Sequence, residues 1–329
     1  MIRPGTRSRI EAAHRYSAFY DDFFATHYPM ALVSLDAMGA DDAALDRFGA
    51  RYLPRLEPMA AAVVVIAPGD EAAHLGSPRA FPEWVAYFDA AIADRGIESV
   101  LARWIDRLLP ACGAAAFHGA IRTAYALESG SAPELAHALA YWAAVYEPLP
   151  QLAAPSGRLS CEQVLAAIAG DGAFAGKRPP GRSIIQRARA AARMPNLSMH
   201  AASTDAQRLD LDSIARAMLG AYAASGDFTL LHCVTGTHAF RLLMPYAGDV
   251  RAAVRDLWAS LLATYVGSGA PFPGGWGLAG SDSLDWPAIH ARALDREDEH
   301  DIKLAYTCWR EWQHRGDDLY RRAASARLT

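Results

Sequence analysis

The sequence predicts an all-α fold in one large domain over 1–329, on three observations. Apolar residues recur at helical rather than alternating spacing along most of the chain. The only β-branched run of note, 62–66 (AVVVI), has no partner of similar character with which to form a sheet. The Gly/Pro-rich stretches at 148–157, 176–181 and 267–280 are too short and too apolar to serve as interdomain linkers.

Periodicity places helices over 8–25, 28–38, 41–53, 82–95, 97–110, 115–129, 159–170, 182–193, 211–224, 228–244, 249–266, 287–294 and 297–314. The clearest is 133–146, where Ser131 is the expected N-cap, Pro133 sits in the first turn, and Pro148 and Pro150 end the run. The stretch 267–277 reads either as a lid or, more simply, as a helix–helix connection.

Hydrophobic residues make up 52% of the chain, enough for a sizeable core. A formal charge of −4 gives no general attraction for nucleic acid or an anionic membrane. The N-terminal segment lacks an apolar run long enough for a signal peptide, and the stretch 59–67 is too short to span a bilayer. The four cysteines (Cys112, Cys161, Cys233, Cys308) form no CxxC pair. That usage fits a reducing compartment, so a cytoplasmic location is expected. Of 32 cationic side chains only Lys177 and Lys303 are lysines. An amine can lose its proton and react, whereas a guanidinium cannot, so a lysine kept among arginines hints at chemistry.

No Walker, Rossmann, GxSxG or HExxH signature occurs. Histidine is the informative residue. His27, His118, His232 and His238 all lie in apolar settings, where an imidazole needs a hydrogen-bond partner or a metal. For each alone, a packed and hydrogen-bonded histidine is the ordinary explanation. His232 and His238 are six residues apart, a rotation of roughly 240° on a regular helix, so they meet at one ion only if the helix breaks. Gly236 is the expected place for such a break.

Two further patterns compete. Glu134/His137 and Glu297/His300 match the Glu-x-x-His element of di-iron bundles, but both glutamates are also expected in first helical turns, where acids offset the helix dipole. Lys303 shares a helical face with Glu299, Thr307 and Arg310, which by itself reads as a solvated face. Cys233 is an ordinary buried cysteine as readily as a soft ligand.

At five places the chain resembles the questin oxidase family, whose named members act on anthraquinones. The matching stretches, in family order, are 27–32 (HYPMAL) with Gly39-Ala40, 117–128 (FHGAIRTAYALE), 231–238 (LHCVTGTH), 265–271 (YVGSGAP) and 300–304 (HDIKL). The resemblance implies a helical fold whose core holds a mononuclear non-haem iron, bound by four histidines and a carboxylated lysine. By position these are His27, His118, His232, His238 and Lys303, with His232, His238 and Lys303 at the chemistry, and with His137 and His300 left to structural or supporting roles. Fe(II) with O₂ as co-substrate would then oxidise a small aromatic, quinone or polyketide-like molecule, by oxygen insertion or ring cleavage. A zinc hydrolase at the same histidines and a non-catalytic binder of a hydrophobic molecule are the alternatives.

Arg122, Glu128 and Asp227 are expected to orient ligand histidines, and Tyr28, Phe117, Tyr125 and Phe240 to wall a flat substrate. The first histidine sits in Thr26-His27-Tyr28, where the family usually has Asn-His-Leu. Neither substrate identity nor a need for NADPH carries over, and no fingerprint for NADPH is present.

Overall fold

A computed structural model describes residues 2–21, 24–271 and 283–329. It is all-α, apart from one two-stranded antiparallel pair, β1 (Phe19–Tyr20) and β2 (Phe24–Ala25), with Phe19 opposite Ala25. The first eight helices are α1 (Pro4–Ala12), α2 (Tyr28–Ala37), α3 (Asp42–Tyr52), α4 (Glu71–His74), α5 (Phe81–Arg95), α6 (Ile97–Leu108), α7 (His118–Ser129) and α8 (Ala132–Ala144). Then come α9 (Cys161–Gly170), α10 (Ile184–Ala192), α11 (Pro195–Ala202), α12 (Leu211–Ser225) and α13 (Phe228–Leu243). The last four are α14 (Val250–Ser268), α15 (Trp286–Leu294), α16 (Glu299–Arg315) and α17 (Asp318–Leu328). None of the described helices is long and apolar enough to cross a membrane.

The sequence punctuates these helices with short acceptors and glycines. Asp41, Asp227, Asp249, Asp285, Asp298 and Asp317 each cap a helix start by accepting from its first free N–H groups. Ser160/Gln163, Ser183/Gln186 and Asp210/Ser213 form reciprocal capping boxes. Ser131 caps α8 as the sequence predicts, accepting from the Glu134 N–H. Gly130, Gly226, Gly269 and Gly316 close helices with positive φ.

Several sequence expectations are corrected. The helix expected over 8–25 stops at Ala12 and gives way to a 3₁₀ turn and the β1–β2 pair, whose connection begins at Asp21 with φ 47°. Residues 22 and 23 of that stretch lie outside the described residues. The run 62–66 is not a strand, and Val63 and Val65 are 86% and 88% exposed. Glu297 precedes the N-cap Asp298 and pairs instead with Arg51 at 2.7 Å. Helices α4, α11 and α17 fall outside the stretches expected to be helical. The stretch 267–277 is helix to Ser268, turns at Gly269 and is irregular at Ala270 and Pro271; its remainder lies outside the described residues.

Four helices pack in a closed ring: α2 on α7, α7 on α13, α13 on α16, and α16 back on α2. Around them, α8 covers α7 and is backed by α5, α12 and α14 flank α13, and α17 covers α16. The four ring helices begin close to one another, and that shared end is where the chemistry-bearing side chains gather.

Candidate metal centre

Each ring helix contributes from its start. His27 is the N-cap residue of α2, His118 is the first residue of α7, and His232 lies one turn into α13. His300 and Lys303 come from the first turns of α16. His27 Nε2 stands 2.7 Å from His118 Nε2. That is close to the about 3 Å separating neighbouring ligands that are each about 2 Å from one ion. One ligand nitrogen from each of His27, His118 and His300 lies within 4.8 Å of the other two. The His232 ring centre is 5.0 Å from that of His118 and 5.2 Å from that of His300. The Lys303 Nζ, fully buried, is 3.3 Å from His27 Nδ1.

The far side of three of the four imidazoles is tied down. His118 Nδ1 bonds the Ala115 carbonyl and His232 Nδ1 the Phe228 carbonyl, which makes each Nδ1 the donor and turns the Nε2 lone pair toward the cluster. His300 Nδ1 meets Asp298 Oδ1 at 2.9 Å, and His27 Nδ1 lies 3.4 Å from Glu299 Oε1. Burial holds His27, His118 and His232 well below the ordinary histidine range, helped by the neighbouring Lys303 and imidazoles. His300 is lowered too, by burial that outweighs Asp298. All four are neutral at physiological pH, the form that ligates a cation. Burial also brings the Lys303 amine down to about 8.

Local strain sets the position of His118. Ala115, Ala116 and Phe117 all have positive φ (46°, 57° and 67°), a left-handed turn that costs about 1–2 kcal/mol per non-glycine residue. The turn is held by the His118 bond to Ala115 and by the wholly buried Phe117 ring. That ring packs on Gly236, where a Cβ would stand 2.9 Å from Phe117 Cγ. Gly236 therefore does not break α13, which is continuous through it; it makes room for Phe117.

An unbroken α13 keeps His238 apart from this cluster. Six residues place it roughly 240° around and about 9 Å along from His232. There its Nδ1 meets Glu311 at 2.7 Å, and Glu311 is held by Arg241. Among the five residues the resemblance implied, the structure brings together His27, His118, His232 and Lys303. It does not bring His238 to them. His300, which the sequence reading set aside, takes that place. The signal was present: His300 is three residues before Lys303, so the two share a helix face. Glu299, Lys303 and Thr307 are buried, which overturns the reading of that face as solvated.

The expected orienting residues are also corrected. Arg122 bonds Glu134 through two nitrogens, and Glu134 meets His14 at 2.8 Å, in a separate buried network that includes His137 stacked on His14. Burial would raise the Glu134 carboxyl, but Arg122 and His14 hold it at about 2. Glu128 accepts from the Tyr306 hydroxyl, and Asp227 caps α13; neither touches a cluster histidine. Tyr28, Phe117, Tyr125 and Phe240 are core residues. Among the described residues, an aromatic ring that does lie against the cluster imidazoles is Phe228, which the sequence did not single out, 4.8 Å from His232 and 4.7 Å from His300.

A cleft of about 350 Å³, lined by Pro148, Pro155, Arg255 and Trp258 among others, receives no cluster residue. A cavity of about 320 Å³ opens at the N-cap of α13 and includes Lys177, Arg178 and Asp227. A search of curated proteins finds no match. The family model for questin oxidase-like proteins matches residues 24–308, a span that begins just before His27 and ends just after Lys303. The chain belongs to the questin oxidase-like family.

Proposed function

We propose that this chain is a mononuclear non-haem iron oxygenase that oxidises a small aromatic, polyketide-like metabolite with O₂, holding iron through His27, His118, His232, His300 and Lys303. The family is one of oxidoreductases and points to an aromatic polyketide as the substrate class. The observation that carries the reading is the meeting of four neutral imidazoles and one buried amine where four helices begin. The donor set suits such an ion: imidazole is a common ligand of ferrous iron, and the rings of His118, His232 and His300 each have the second nitrogen bonded to a carbonyl or carboxylate.

When bound, iron supplies the one-electron steps that let O₂ react with a closed-shell organic molecule. The protein's own part is to fix and dry the site. Ala115, Phe228, Asp298 and Glu299 set the ring orientations. The low-polarity surroundings keep the imidazoles unprotonated. Four helix N-termini give a partial positive field that favours an anion. Lys303, whose amine is lowered to about 8, has a larger uncharged fraction at neutral pH than an exposed lysine. The uncharged amine adds CO₂ and releases one proton, giving a carbamate with a carboxylate-like oxygen. An anionic oxygen ligand supports the higher oxidation states of the metal, and the four helix starts stabilise its charge.

The test is metal analysis with O₂ consumption. Near-stoichiometric iron and O₂ uptake dependent on an added hydroxylated polycyclic aromatic are expected. Zinc in place of iron, or no bound metal, overturns the proposal.

A further inference from the structure

The cluster is closed on most sides. His27, His232 and Lys303 are buried, while His118 and His300 are partly open. Phe228 marks the open side. It is 48% exposed and stands in the first turn of α13. A single exposed phenylalanine is ordinary. This one is not isolated, because its ring lies across His232 and His300 at interplanar angles of 72° and 62°. Two imidazoles therefore cover one part of the ring and leave the rest to solvent at the edge of the centre. The preceding residue, Asp227, lines the 320 Å³ cavity, as do Ser225, Ser268, Lys177 and Arg178. That volume falls in the range of small-molecule sites.

The cavity wall is cationic. Lys177 and Arg178 face a single carboxylate, Asp227, whose Oδ1 is already committed to the Thr229 and Leu230 N–H groups. Arg187 stands close enough to Arg178 to feel its charge, and bonds the Gly267 carbonyl at 3.1 Å. Among the described residues, the hydrogen bond made by Lys177 Nζ goes to a backbone oxygen, that of Gly172, at 2.8 Å. The helix ends at Ser225 and Ser268 contribute partial negative charge, which offsets part of this excess without cancelling it.

We infer that the substrate stacks its aromatic plane on Phe228 and places an acidic substituent, a carboxylate or an acidic phenol, against Lys177 and Arg178. This rests on the function proposed above and adds to it a specificity-determining residue and a charge for the substrate. Lys177, the second of only two lysines, thereby gains a role that the centre itself does not give it.

The test is a fluorescence titration with 1-hydroxy-2-naphthoate and, as the uncharged analogue, 2-naphthalenemethanol, with iron content measured on the same samples. Phe228→Ala is expected to weaken both probes about ten-fold, a loss in the range of an aromatic contact plus its buried area, and Phe228→Trp to restore them. The double variant K177A/R178A is expected to weaken the naphthoate alone by about ten-fold at low salt, with the difference shrinking as salt is added. Wild-type binding of both probes by Phe228→Ala overturns the inference, as does wild-type binding of the naphthoate by K177A/R178A. Protein without iron that still shows these losses supports the binding site while refuting the iron reading. Iron-replete Phe228→Ala with undiminished binding refutes the site alone.

Discussion

At the scale of the residue, the account turns on which side chains face one point and why. His300 and His238 make the contrast. Both stand beside a carboxylate, His238 buried and His300 partly open, yet only His300 lies in ring contact with His27 and His232. His300→Ala is expected to lower bound iron several-fold, measured by metal analysis, while His238→Ala keeps iron and lowers stability by about 1–3 kcal/mol through the stranded Glu311–Arg241 pair. Iron loss in His238→Ala alone would reverse the assignment. Lys303→Arg supplies a cationic side chain that can form no carbamate, so iron binding and activity are expected to fall together in a protein that still folds. His27, His118, His232 and Lys303 were legible from apolar setting and motif order. His300 was not, because it belonged to the Glu297/His300 pattern, which a first-turn acid explains, and because the motif 231–238 offered His238 instead.

At the scale of the element, the site is made by helix starts, and the strain needed to aim them is local. The left-handed turn at Ala115, Ala116 and Phe117 points His118 inward, and Gly236 across the interface admits Phe117. Gly236→Ala would press a methyl group into that ring, with an expected loss of about 1–3 kcal/mol in a denaturant titration and a shift of His118 that reduces iron occupancy. Unchanged stability would show that Phe117 yields freely. Ala115→Gly relieves one left-handed residue and is expected to stabilise the protein by up to about 1 kcal/mol if the turn is kept. Helices with strong periodicity and capping residues, such as α8 with Ser131, were readable in advance. The left-handed turn was not, since Ala-Ala-Ala-Phe carries no glycine or asparagine to announce positive φ. The β1–β2 pair was missed for a related reason: its aromatic residues match helical spacing as well as strand alternation over so short a stretch.

At the scale of the whole molecule, one helical core buries several neutral histidines, and this couples stability to pH. Burial lowers His137 to about 3 against an ordinary value of 6.5. A folded-state value below the unfolded one means that the unfolded chain takes up the proton first. The stability this histidine contributes is therefore complete above about 6.5 and is lost as pH falls toward 3, by up to about 1.4 kcal/mol per pH unit. The buried cluster histidines act in the same direction. Unfolding free energy from urea titration is expected to drop between pH 6.5 and 4, and His137→Gln to flatten part of that slope; stability constant over this range would contradict the burial argument. The fold class could be read from the sequence because helical spacing persists along the chain. The closed ring of α2, α7, α13 and α16 could not, since its contacts join residues far apart in the chain, from 73 positions for His238 and Glu311 to 276 for His27 and Lys303. The central claim is that this ring gathers His27, His118, His232, His300 and Lys303 around one iron. X-ray anomalous scattering at the iron edge from a crystal of the purified protein tests it most directly: the account predicts a single peak within bonding distance of all five side chains, and a peak at His238 and Glu311, or no peak at the four helix starts, would contradict it.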